Sequence, residues 1–124
     1  MYPARLFTTE VTVGPPGRAD GVAVTGTNTY YSTPVSPRLE GISVQLRASG
    51  TMTGTWSLWK TNKPDPDLTS DDDWIAIADS LTDPSGSDVD VGEEFGNLRC
   101  YLFRVKYVNE SGAGTIYGWA VGGQ

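Results

Sequence analysis

The chain of 124 residues predicts an all-β domain, an antiparallel β-sandwich or jelly-roll-like body of eight to nine short strands. Three observations predict it. Short segments in which apolar and polar residues alternate recur along the chain, and many of the 15 glycines and 8 prolines fall between them. No long window carries a helical period. The clearest strand signal is Leu98 to Val121, LRCYLFRVKYVNESGAGTIYGWAV, where two runs of aromatic and β-branched residues flank Asn109-Glu110-Ser111-Gly112-Ala113-Gly114. That spacing predicts a hairpin turning at the polar segment.

Met1 to Arg5 reads as a flexible N-terminal arm and residues 6–124 as a single domain. Phe7, Thr9, Val11 and Val13 fall on one side of a first strand, stopped by Gly14-Pro15-Pro16-Gly17. Val22 and Val24 mark a second, and Thr27 to Thr33 a third that ends before Pro34. In Ile42 to Ala48 the residues Ile42, Val44, Leu46 and Ala48 face one way, and Ser43, Gln45 and Arg47 the other. Ser49 to Gly54 reads as a turn into Thr55 to Lys60, where Trp56 and Leu58 share a face with Lys60 and Trp59 lies opposite. Trp74 to Ala78 is expected to point Ile75 and Ile77 inward, and Val89 and Val91 mark one more strand. In the last hairpin Tyr101, Phe103, Val105 and Tyr107 share a face, with Arg104 and Lys106 alternating between them. Beyond its turn Tyr117, Trp119 and Val121 oppose Ile116, Gly118 and Ala120. The polar segments Thr61 to Asp73 and Asp83 to Ser87 are expected to be mobile.

The formal charge is −6 and the sequence pI about 4.4, with no cluster of Lys and Arg, which speaks against nucleic acid and against an anionic membrane surface as partners. No run approaches the length of a membrane span, and Met1 to Thr8 lacks the apolar core of a secretory signal, so synthesis in a cytoplasm is expected. The single cysteine, Cys100, reads as a small buried hydrophobe and leaves no intrachain disulfide.

With no histidine and one cysteine, imidazole-based nucleophilic machinery, histidine zinc sites and thiolate clusters are excluded. Neither a phosphate-binding loop nor a dinucleotide fingerprint occurs. No cofactor, metal or catalytic residue is assigned, and the chain is not expected to be an enzyme. Carboxylates remain. Asp65, Asp67, Asp71, Asp72, Asp73, Asp79, Asp83, Asp88, Asp90, Glu93 and Glu94 follow one another with no intervening Lys or Arg. A solvated acidic face is the favoured reading. A patch that docks a basic partner is a second. A calcium loop is a third, but Ser70 stands where an EF-hand needs glycine and Ala76 where it needs glutamate. Asp72 with Glu93 resembles a glycosidase pair no more than any acid-rich surface does.

Of the four tryptophans, Trp56 and Trp119 are expected in the core. Trp59 and Trp74 lie opposite their strands' aliphatic residues, and are candidates for a subunit interface or a sugar-stacking platform. Asn109-Glu110-Ser111 matches a glycosylation sequon, a pattern frequent by chance.

Two longer segments carry a resemblance. Thr29-Tyr30-Tyr31-Ser32-Thr33-Pro34-Val35 leads through Glu40 to Leu46 into Gly54-Thr55-Trp56-Ser57-Leu58, and Leu102 to Tyr107 runs into Val108 to Thr115. Together they resemble small virion proteins of tailed bacteriophages, the capsid decoration (cement) proteins and related head or tail accessory proteins. The resemblance implies a β-sandwich, often trimeric, that sits on the capsid surface, contacts the major capsid protein and braces neighbouring capsomers. It carries no catalytic motif, and the acid-rich Lys63 to Asp73 matches nothing in the pattern. The candidate contact residues are Trp59 and Trp74 as apolar anchors, Arg5 in the arm, and Asp71, Asp72 and Asp73 as an acidic docking patch. The alternative is a glycan-binding or receptor-binding module of a phage tail or fibre.

Overall fold

A computed structural model describes residues 4–5, 22–36, 42–78, 81, 91–95 and 100–122. The described residues form strands and no helix: β1 (Ala4–Arg5), β2 (Val22–Val24), β3 (Thr29–Tyr31), β4 (Ile42–Thr61), β5 (Ile75–Ala78), β6 (Val91–Phe95) and β7 (Leu102–Gly122). The all-β class holds, but the strand count differs. Among the described residues there are seven segments against the eight to nine expected, and four of the expected strands are merged into two, because β4 and β7 run unbroken for 20 and 21 residues. The expected strand at Phe7 to Val13 lies outside the described residues.

All described pairings are antiparallel. β4 and β7 pair along their whole lengths, from Ile42 opposite Gly122 to Thr61 opposite Leu102. The other edge of β7 carries β1, β2 and β3, and the other edge of β4 carries β5 and β6. Ala4 and Arg5, read from sequence as arm, pair with Ala120 and Trp119.

The predicted hairpin at Asn109 to Gly114 therefore does not form, nor does a turn at Ser49 to Gly54. These two stretches pair with each other and carry the ribbon through a bend. Thr53 faces Ser111 and the next residue, Gly54, faces Asn109, which leaves Glu110 as an extra residue on β7. A one-residue bulge of this kind bends a strand and reverses which side its later residues face. Before the bulge β7 buries Phe103, Val105, Tyr107 and Asn109; after it Ile116 and Ala120 are buried. β4 keeps one parity throughout, burying Val44, Leu46, Ala48, Met52, Trp56 and Leu58. Gly50 and Gly112, with φ of 94° and 88°, supply the left-handed backbone flanking the bend. The turn-forming residues are thus spent on a corner within paired strands, and not on a chain reversal.

Both halves of the ribbon contribute to one hydrophobic cluster, joined by Val24 and Leu81. Trp56 packs on Tyr107 with ring centroids 4.6 Å apart. At the corner the Tyr107 hydroxyl donates to Asn109 Oδ1 (2.9 Å), and Asn109 Nδ2 donates to the carbonyls of Gly26 (2.7 Å) and Gly112 (3.1 Å). This buried asparagine is bonded into the corner, so the sequon has no accessible acceptor in the folded chain.

Candidate functional site

On the outer face of the ribbon, opposite the core, Ser57, Trp59 and Thr61 of β4 lie beside Arg104 and Lys106 of β7, with Tyr31 of β3 opposite Lys106. Alternation places them there, and a two-layered sheet would leave them wet. Ser57, Thr61 and Arg104 are instead buried, Arg104 to 1%. What covers Arg104 is the segment from Asn62 to Trp74, which lies across this face as a strap.

Arg104 is the clasp. Its guanidinium lies 3.9 Å from the centroid of the Tyr31 ring and 4.1 Å from that of Trp74. Nη1 donates to the Leu68 carbonyl (3.1 Å) and Nη2 to the Ser70 carbonyl. A planar fork between two aromatic faces is an arrangement arginine makes and lysine does not. Burial pulls the guanidinium's pKa below its usual value, opposed by the neighbouring Tyr31, Asp71 and Asp67. The side chain stays charged, as arginine does in proteins.

A second tie is ionic. Lys106 Nζ is 2.6 Å from Asp71 Oδ2, and the Tyr31 hydroxyl donates to Asp71 Oδ1 at 3.0 Å. Burial pushes the Asp71 carboxyl up, but the hydrogen bonds from Lys106 and Tyr31 and the charges of Lys106 and Arg104 outweigh it and hold the group below the usual carboxylate range. Burial raises the Tyr31 phenol, and its bond to Asp71 raises it further.

The strap also binds itself. Asp67 accepts from the Thr69 amide and hydroxyl and from the Ser70 hydroxyl, which together lower its pKa. Asp73, at a φ of 74°, pairs with Lys63 (2.5 Å) and accepts from the Asp67 amide (3.0 Å), and both bonds lower its pKa, that from Lys63 most. Trp74 Nε1 donates to the Asp67 carbonyl at 2.7 Å. The segment expected to be mobile is stitched to the sheet and to itself.

The structure brings Trp59, Trp74, Asp71, Asp72 and Asp73 into this one region, though not all in the expected posture. Trp74 is buried, because the strap lays its ring on the second face of the Arg104 guanidinium. Trp59 is half-buried, with its indole N–H on Ser57 (2.8 Å) and the Lys106 ammonium 5.1 Å from its ring. Asp72 is exposed, while Asp71 and Asp73 are occupied by Lys106 and Lys63. Arg5 stands elsewhere, at the register of Trp119 on the other half of the ribbon. Trp119 is not in the core as expected. The bulge at Glu110 turns it outward, where its ring runs parallel to Tyr117. Ile75, expected inward, is 59% exposed.

Sequence reasoning missed Arg104, Lys106 and Tyr31 as the organisers of the site. Their signal was present: two cations alternate along an aromatic strand, in a chain whose long acidic stretch holds none. Among the described residues no group of three His, Cys, Asp or Glu side chains converges to hold a metal ion. No helix of the described residues is long and apolar enough to cross a membrane.

The large hydrophobic side chains exposed among the described residues are Leu68, Ile75 and Tyr101. All three belong to the strap's end of the sheet. Leu68 rides on the strap, Ile75 begins β5 opposite Lys60, and the Tyr101 amide bonds to the Thr61 carbonyl (2.9 Å). Compared with known proteins, the chain matches no family model and no curated protein sequence.

Proposed function

We propose that this chain is a structural virion protein that binds the outside of an assembled phage capsid and stabilises it, as a decoration or cement protein. The observation that carries the proposal is the gathering of Leu68, Ile75 and Tyr101 at the end of the sheet that bears the acidic strap. Apolar side chains on and beside a segment that exposes Asp65, Asp67 and Asp72 make an adhesive surface, with the apolar groups giving affinity and the charges selecting a basic partner. The phage-like segments Thr29 to Leu58 and Leu102 to Thr115 form much of the ribbon that presents this surface. In this proposal the two halves of the bent ribbon are the layers of a β-sandwich, the partner is the major capsid protein, and copies associate, as trimers, on the virion surface after synthesis in the host cytoplasm. Many weak contacts on a lattice then add through effective concentration.

Capsids stripped of accessory proteins test this by cosedimentation. The wild-type chain is expected to bind saturably, and Leu68→Ser with Tyr101→Ser to bind at least about tenfold more weakly while folding normally. Full binding by the double variant would contradict the assignment.

One observation favours the alternative, a glycan-binding or receptor-binding module of a phage tail or fibre. Tyr117 and Trp119 present parallel rings, 3° between planes and 6.2 Å between centroids, opposite Arg47 and Gln45 on the outer face. Stacking rings beside planar polar groups suit a sugar face. Quenching of tryptophan fluorescence by a defined glycan, lost in Trp119→Ala, would favour that alternative.

A further inference from the structure

We infer that the strap is an acid-released latch: protonating Asp71 frees residues 62–74 from the outer face of the sheet while the β4–β7 ribbon stays folded.

The geometry separates two kinds of attachment. The ribbon rests on an apolar cluster and a ladder of backbone hydrogen bonds, with Tyr107 and Asn109 bonded to each other at its buried corner. The strap rests on carboxylates in addition to the Arg104 clasp. Asp71 ties it to β7 and β3, Asp73 ties its two ends together through Lys63, and Asp67 caps its turn. The groups facing Asp71 are Lys106 and Arg104 from β7 and Tyr31 from β3, and Asp67 of the strap acts on Tyr31 and Arg104 in turn. Its side chain is 40% exposed, so protons reach it without any prior opening.

When Asp71 is protonated, Lys106 is left half-buried without its counter-charge, and the Tyr31 hydroxyl loses a charged acceptor. Arg104 then holds the strap through two backbone carbonyls and Trp74 alone. Asp67, Asp71 and Asp73 all have depressed pKa values in the folded chain. Groups of this kind stabilise the fold above the carboxylate reference of 3.8 and stop doing so as pH falls through their folded values. Because all three sit on one segment, that loss is local, and a segment can open at a lower free energy than the whole domain.

The inference needs nothing from the functional proposal, and a failure to bind capsids leaves it intact. Hydrogen exchange read by mass spectrometry, corrected for the intrinsic pH dependence of exchange, tests it on the purified chain. Protection of 62–74 is expected to fall about tenfold or more between about pH 5 and about pH 2, while peptides from β4 and β7 hold theirs. Asp71→Asn is expected to loosen the strap already at neutral pH and to shrink the acid response, with ribbon protection certifying the fold. Lys106→Met is expected to loosen it likewise at neutral pH. Strap and ribbon losing protection together at one acid midpoint would overturn the latch, and so would an undiminished acid response in Asp71→Asn.

Discussion

The guanidinium of Arg104 lies 4.1 Å from the centroid of the Trp74 ring, and each residue buries the other on the face of the sheet that points away from the core. The pair turns an acidic loop into a fixed surface. Arg104→Lys keeps the charge but has no planar fork for the Leu68 and Ser70 carbonyls, so the strap should come loose, at a cost of about 2 kcal/mol in denaturant unfolding. Acrylamide should then reach Trp74. An Arg104→Lys protein as stable and as poorly quenched as the wild type would show that the sandwich does not hold the strap.

Trp56 and Trp59 are three residues apart on opposite faces and should behave differently. Trp56 is fully buried against Tyr107, and Trp56→Ala should cost about 3–5 kcal/mol. Trp59→Ala, on the half-exposed outer face, should cost about 1 kcal/mol. Urea melts of the two variants decide this. Similar losses would mean that the faces are assigned wrongly.

Much of the fold was legible in the sequence and its connectivity was not. Alternation in Val44 to Ala48 and in Phe103 to Tyr107 identified strands and their buried faces, because a period of two has one physical cause, whereas Tyr101, expected on the same face, precedes β7 and is exposed. The error came at Ser49 to Gly54 and Asn109 to Gly114. Glycines with positive φ serve a chain reversal and a bend in a paired ribbon equally well, and only the pairing partner distinguishes them. That same bulge moved Trp119 from core to surface. At the site, the sequence marked Trp59, Trp74 and the aspartates, but a solvent-side arginine such as Arg104 looks no different from a buried one until a distant loop is seen to fold over it.

Gly112 tests the bend directly. Its φ is 88°, and a Cβ there would run into the Thr51 carbonyl. Gly112→Ala should destabilise by about 2 kcal/mol or more, whereas Ala113→Gly next to it should cost under about 1 kcal/mol. Equal effects in thermal unfolding would argue for a flexible turn at this place.

On the alkaline side the strap should weaken through Tyr31. Its pKa is raised above 10.0, first by burial and then by the bond to Asp71. The stabilisation is complete below the phenol's ordinary value of 10.0 and is lost as pH rises through the folded value, when phenolate and carboxylate would face each other. Phenolate absorbance should show a late-titrating component that shrinks by one tyrosine in Tyr31→Phe. An unchanged titration in that variant would contradict the contact.

The docking proposal is tested most directly by electron cryomicroscopy of the phage particle that, on this proposal, carries the chain. The proposal predicts density for the bent ribbon on the capsid exterior, with Leu68, Ile75 and Tyr101 turned toward the shell. Density only on the tail, or the strap's end turned to solvent, would contradict it.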